Sequence, residues 1–187
     1  MAAFLTPRQY AILEAVCARL VPTDDGAPGG TEMGAVDYID TLLGAFSFMP
    51  PRIWAGGPFS GRFGGAPSFA EFEELSPAEE LAWRTRIEGS RGISEREHLG
   101  PVTGLQETYA KGLAELGEDF LSLDPAHQDD RLNELAEFTR VVYEHVCEGL
   151  YGAPEYGANR RLAGWHYLNY AGDVQPRGYT DAEVSGA

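Results

Sequence analysis

Apolar residues recur along this chain at steps of three and four, in runs separated by Gly- and Pro-rich breaks. The first run is Ile12, Leu13, Val16, Cys17 and Leu20. Thr6 stands at a position suited to an N-cap, Pro7 suits the first helical residue, and Pro22 closes the run, so a helix is predicted between them. A second helix is predicted from Met33 to Phe46, with Val36, Ile39, Leu42, Leu43 and Phe46 inward. Ser76-Pro77-Ala78-Glu79 has the form of a capping box. It opens a predicted helix of about fourteen residues with Leu81, Trp83 and Ile87, ending near Gly89 or Gly92. A fourth helix is expected from Pro101 to Phe120, carrying Val102, Leu105, Tyr109, Leu113, Leu116 and Phe120. Asp124-Pro125 opens the longest one, to Tyr151, with the stripe Leu132, Leu135, Thr139, Val142, Tyr143, Val146 and Leu150. No run alternates apolar and polar residues as a half-buried strand would. The expected architecture is all-α: one helical domain over 1–187, with a helical core over about 6–150 and an irregular segment over 151–187.

Two segments break the helical pattern and remain rich in large apolar groups. Half of residues 50–67 are Gly or Pro, which argues against regular structure. Yet Ile53, Trp54, Phe59 and Phe63 lie there, and such side chains need a surface to cover. The segment after Leu150 carries Tyr151, Tyr156, Trp165, Tyr167, Tyr170 and Tyr179 among glycines, prolines and asparagines. Asn159 is placed to cap a short helix through Trp165. Tyr and Trp are enriched where proteins meet. The same rings would equally well close the chain's own core.

Charge narrows the functional classes. The chain has 29 acidic and 14 basic residues, a net of −15, which disfavours non-specific binding to nucleic acid or an anionic membrane. Eleven acids fall in 107–148 against Lys111, Arg131 and Arg140, whereas 50–70 holds Arg52 and Arg62 and no acid. No apolar run reaches the length of about 18 residues that direct membrane insertion needs. No export signal is readable, so the chain is expected to be cytoplasmic, or periplasmic if a twin-arginine leader is cleaved. Cys17 and Cys147 form no CxxC and sit among apolar helical neighbours as buried thiols or one disulfide.

Chemical motifs are absent. There is no P-loop, GxGxxG, GxSxG or HExxH, and the four histidines, His98, His127, His145 and His166, form no ligand pair at i, i+4. His145 and Cys147 lie two apart, on different helix faces. His166, between Trp165 and Tyr167, is a candidate general base or a packed histidine. No catalytic, cofactor-binding or metal residue is assigned.

Several motifs together carry a resemblance. They are Leu5-Thr6; Leu20-Val21-Pro22-Thr23-Asp24-Asp25 with Pro28-Gly29-Gly30; Gly34 and Tyr38-Ile39-Asp40; the block from Tyr151 to Asn159; Gly164-Trp165; and Tyr170-Ala171-Gly172-Asp173. The chain resembles the gluconate 2-dehydrogenase subunit 3 family, the small (gamma) subunit of membrane-linked FAD-dependent sugar dehydrogenases. It departs from many members in having Gly157-Ala158-Asn159 where they have Gly-Gly-Asn, and it shows no readable twin-arginine leader, which is expected either to have been removed or to be dispensable beside an unexported flavoprotein. The resemblance implies a non-catalytic subunit that binds no cofactor itself. It would pack on and stabilise a large subunit of the glucose–methanol–choline (GMC) type, which holds FAD and the substrate-oxidising groups. A cytochrome subunit often takes the electrons. The expected partner interface is Trp54, Phe59, Tyr151, Pro154, Tyr156, Asn159, Trp165 and Tyr170. Two other readings stay open: a stand-alone acidic helical binding module or assembly chaperone, and a small enzyme built on His166.

Overall fold

The computed structural model describes residues 4–57 and 72–170. Eight α-helices lie in these residues: α1 (Pro7–Leu20), α2 (Gly30–Met33), α3 (Ala35–Leu43), α4 (Pro77–Glu88), α5 (Leu105–Leu116), α6 (Pro125–Glu134), α7 (Ala136–Tyr151) and α8 (Ala163–Tyr167). Among the described residues there is no strand, only the isolated pairings Asp24 with Ala27 and Gly56 with Glu73. The class is all-α, as the pattern predicts. None of these helices is long and apolar enough to cross a membrane.

Two helices begin as their sequences dictate. Thr6 Oγ1 accepts from the Gln9 N–H at 3.2 Å while Gln9 Oε1 accepts from the Thr6 N–H at 2.9 Å. Ser76 and Glu79 make the same reciprocal box at the start of α4. Each closes two backbone donors that a helix N-terminus otherwise leaves open.

Three predicted helices are revised. The second is split at Gly34, which adopts φ +82°, and ends at Leu43 rather than Phe46. The fourth starts at Leu105, not Pro101. Before it, Val102 pairs with Ser90 through the Ser90 N–H to Val102 carbonyl bond at 3.0 Å, and its side chain is exposed. Gly104 there crosses Gly89 so closely that a Cβ would lie 2.2 Å from the Gly89 nitrogen. The fifth divides at Leu135, whose φ −104°, ψ 42° leave the helical region. Tyr143, expected inward, is exposed instead.

The core lies where α1, α3 and α7 meet, with α5 closing one side. Leu13, Val16, Ile39, Leu43, Leu116, Val142, Val146 and Leu150 lose all solvent contact. Each such side chain contributes about 1.5–3 kcal/mol by burial. Gly112 on α5 admits the Phe138 ring; a Cβ there would lie 2.3 Å from a ring carbon. A smaller cluster of Ala45, Ile53 and Ile87 joins the arm after α3 to α4, with Leu42, Phe46 and Trp83 around it.

Polar groups inside this core are few and bonded. Asp40 Oδ1 accepts from the Phe4 N–H at 2.9 Å and the Leu5 N–H at 2.7 Å, which ties the chain ahead of α1 to α3. The Tyr109 hydroxyl and His145 Nδ1 share a hydrogen bond at 2.9 Å. Cys17 and Cys147 are free; burial pushes the Cys17 thiol up to about 12, so it stays protonated and inert.

Candidate functional site

After α7 the chain folds back on itself and builds a ledge from residues 151–170. Pro154 opens a 3-10 turn over Pro154–Tyr156, which Gly157 ends at φ +109°. A second 3-10 turn, Arg160–Leu162, leads into α8. Asn159, fully buried, joins the two ends of the loop. Its Nδ2 donates to the Gly152 carbonyl at 2.9 Å, and its Oδ1 accepts from the Gly164 N–H at 2.9 Å. Asn159 thus stands at the N-cap position of the Arg160–Leu162 turn without a side-chain cap bond there, and reaches instead, across five residues, a first-turn N–H of α8, the helix that holds Trp165.

Trp165 is the second brace. It is 5% exposed, and its Nε1–H donates to the Tyr151 carbonyl at 2.8 Å, one of the carbonyls left open at the end of α7. Gly164 makes this approach possible, because a Cβ there would lie 2.0 Å from the Leu150 carbonyl oxygen. Arg160 pairs with Asp37 on α3 and lies over Gly34. Asp37 also accepts from the Tyr10 hydroxyl at 2.6 Å, a bond that, with burial, pushes that phenol above its ordinary range.

The ledge is strained. Asn159, Arg161 and Leu162 have φ of 51°, 57° and 59°. Asn tolerates this region, whereas Arg and Leu each pay about 1–2 kcal/mol for it. Such a conformation persists only when its surroundings over-determine it, and Asn159, the Arg160–Asp37 pair and Trp165 do so.

Outward from these braces stands an aromatic surface. Tyr151, Tyr167, Leu168 and Tyr170 are between 41% and 53% exposed, and the Tyr170 ring rests edge-on against Trp165 at 5.1 Å. His166 is also exposed, on α8. Beside the ledge, Trp54 stacks on Phe72 at 4.1 Å, and Tyr156 meets both edge-on at 5.4 and 5.8 Å. This aromatic group fastens the 50s arm to the segment after α7. Pro154 is half-buried next to it.

The eight expected interface residues are therefore of different kinds. Tyr151 and Tyr170 are presented to solvent; Trp54, Pro154 and Tyr156 are half-covered; Asn159 and Trp165 lie beneath; Phe59 lies outside the described residues. Tyr109 is buried as its place in the apolar stripe predicts, but its bond to His145, and the bonds Asp40 makes to the chain ahead of α1, are not foreseen by the sequence pattern. Tyr38 was quoted only within a motif, yet its hydroxyl donates to Glu148 Oε2 at 2.9 Å, bonding α3 to α7. Among the described residues no group of three or more His, Cys, Asp or Glu is placed to hold a metal ion.

A family model described as gluconate 2-dehydrogenase subunit 3 matches residues 7–172, from the start of α1 through the whole ledge. No curated protein and no solved structure matches the chain.

Proposed function

The chain belongs to the gluconate 2-dehydrogenase subunit 3 family, and from that membership we propose that it is the non-catalytic subunit of an FAD-dependent oxidoreductase complex. The complex acts on a sugar, sugar acid or glycoside. FAD and the oxidising groups sit in a large catalytic partner of the GMC type, and this chain stabilises that partner by binding it.

One observation carries the reading: the aromatic ledge is rigidly braced from below and left open above. A surface that only closed its own core would turn its tyrosines inward together with Trp165. Here Trp165 and Asn159 are inward, while Tyr151, Tyr167, Leu168 and Tyr170 are held outward on a strained backbone. Rings presented on a fixed support lose little entropy on binding, which is how a small area reaches useful affinity. Tyr151 and Tyr170 are the outer contacts in this proposal. Trp54, Pro154 and Tyr156 form the neighbouring edge, and Asn159 and Trp165 hold the shape.

The test is an affinity pull-down of the tagged chain from its native cells, read by flavin absorbance and by sugar-dependent dye reduction. A yellow, dye-reducing eluate containing a large flavoprotein is expected. A colourless chain that elutes alone would overturn the reading and favour a stand-alone binding module.

A further inference from the structure

Next to the ledge, α3, α4 and the end of α7 enclose a groove of about 300 Å³. Tyr38, Trp54, Trp83 and Tyr156 line it as half-buried aromatic walls, over Leu42 and Ile53. Its exposed lining residues are Arg52, Arg86 and Glu148.

Both arginines are without a carboxylate partner among the described residues. In a chain of net charge −15, acids outnumber bases twofold, and an arginine finds a carboxylate easily. Arg19, Arg84, Arg96, Arg131, Arg140 and Arg160 do so, whereas Arg8 and Arg91 bond backbone or amide oxygens. Among the described residues, no carboxylate pairs with Arg52 or Arg86. Their guanidinium groups lie over rings instead, Arg52 over Phe48 at 4.2 Å and Arg86 over Trp83 at 5.0 Å. Glu148, the groove's one acid, is engaged by the Tyr38 hydroxyl. The groove therefore offers two fork-shaped donors beside an apolar hollow, on a protein that is otherwise strongly acidic.

We propose that this groove is a socket for one large apolar side chain of the catalytic subunit, flanked by a carboxylate that pairs with Arg52 and Arg86. The inference rests on the complex proposed above. Its size is at the lower limit of small-molecule sites and suits an inserted side chain. Its composition, Trp, Tyr and Arg, is that of the residues that dominate binding at protein interfaces. Planar guanidinium groups recognise carboxylates through two parallel hydrogen bonds. In this arrangement Trp54 and Tyr156 receive the partner rather than project into it.

The experiment uses the assembled complex. A photo-crosslinking residue at Thr41, in the lining of the groove, should form an adduct with a catalytic-subunit peptide in which a large apolar residue neighbours Asp or Glu. An adduct confined to this chain, for instance with residues 58–71, overturns the socket. Independently, the double variant Arg52→Glu, Arg86→Glu should bind the catalytic subunit about a hundredfold more weakly, as reversal of a desolvated pair does. Arg140→Glu, about two turns before Glu148 on α7 and outside the groove's lining, should stay within about twofold of wild type. A wild-type chain that captures no flavoprotein overturns the complex and the socket together. A normal complex with unchanged affinity in the double variant overturns the socket alone.

Discussion

The core around α1, α3 and α7 and the ledge after α7 are stabilised on opposite plans. In the core, many apolar side chains share the work, and the loss of one leaves the others in place. In the ledge, Asn159 and Trp165, with the Arg160–Asp37 pair, hold two 3-10 turns and α8 against a strained backbone. A distributed core tolerates change; a braced loop fails at its braces. This difference explains how a small segment rich in Gly and Pro can present a defined surface at all.

The contrast is broken most directly at Trp165. Trp165→Ala should cost about 3–5 kcal/mol, the range for a buried aromatic. It should also free the Tyr151 carbonyl and release the ledge before the core melts. Hydrogen exchange should then show residues 152–170 opening while α1 and α3 remain protected. Uniform loss of protection across all helices would mean that ledge and core are one cooperative unit. Asn159→Ala comes next, at about 2–3 kcal/mol, because it strands the buried Gly164 N–H and the half-buried Gly152 carbonyl. It would show the same local opening. A change below about 0.5 kcal/mol in chemical denaturation would remove Asn159 from its role as brace.

These braces show what the amino-acid pattern can and cannot reveal. The starts of α1 and α4 are legible to the residue because Thr6, Pro7, Ser76 and Glu79 act locally, within a single turn. The break at Leu135 is not, since an apolar residue in an apolar stripe carries no mark of a helix end. Asn159 and Trp165 stand out in sequence, yet their direction does not. A ring among glycines reads the same whether it packs inward or faces a partner. Only the approach of Gly164 to the Leu150 carbonyl decides which, and that contact spans fourteen residues of chain. Asp40 and His145 are hidden for the converse reason: a polar letter suggests water until its burial is known.

His145 gives a smaller, pH-dependent handle on the core side of the comparison. Burial pushes its imidazole below the ordinary value; Arg86 adds to this, while Glu148 and Glu144 oppose it. The native protein thus keeps His145 neutral under conditions where the unfolded chain, titrating near 6.5, takes up a proton. The unfolded state then binds more protons, so stability is full above about pH 6.5 and falls as pH drops below it. Denaturation midpoints from pH 8 to pH 5 should decline less steeply in His145→Gln than in wild type. Parallel slopes would place the acid sensitivity elsewhere.

The smallest effect on stability is the most informative about function. The Tyr151 side chain is 41% exposed, and only its backbone carbonyl supports Trp165. Tyr151→Ser leaves that carbonyl in place, so folding stability should change by less than about 0.5 kcal/mol, as for most surface substitutions. If the ledge is an interface, the same substitution should weaken capture of the flavoprotein by about 2 kcal/mol, the threshold of an interface hot spot. Trp165→Ala loses stability and partner together and cannot separate the two roles; Tyr151→Ser can. A variant that keeps both its stability and its partner would show that the outer rings are bystanders, and that the supported shape of the ledge, rather than its chemistry, is what the C-terminal turns preserve.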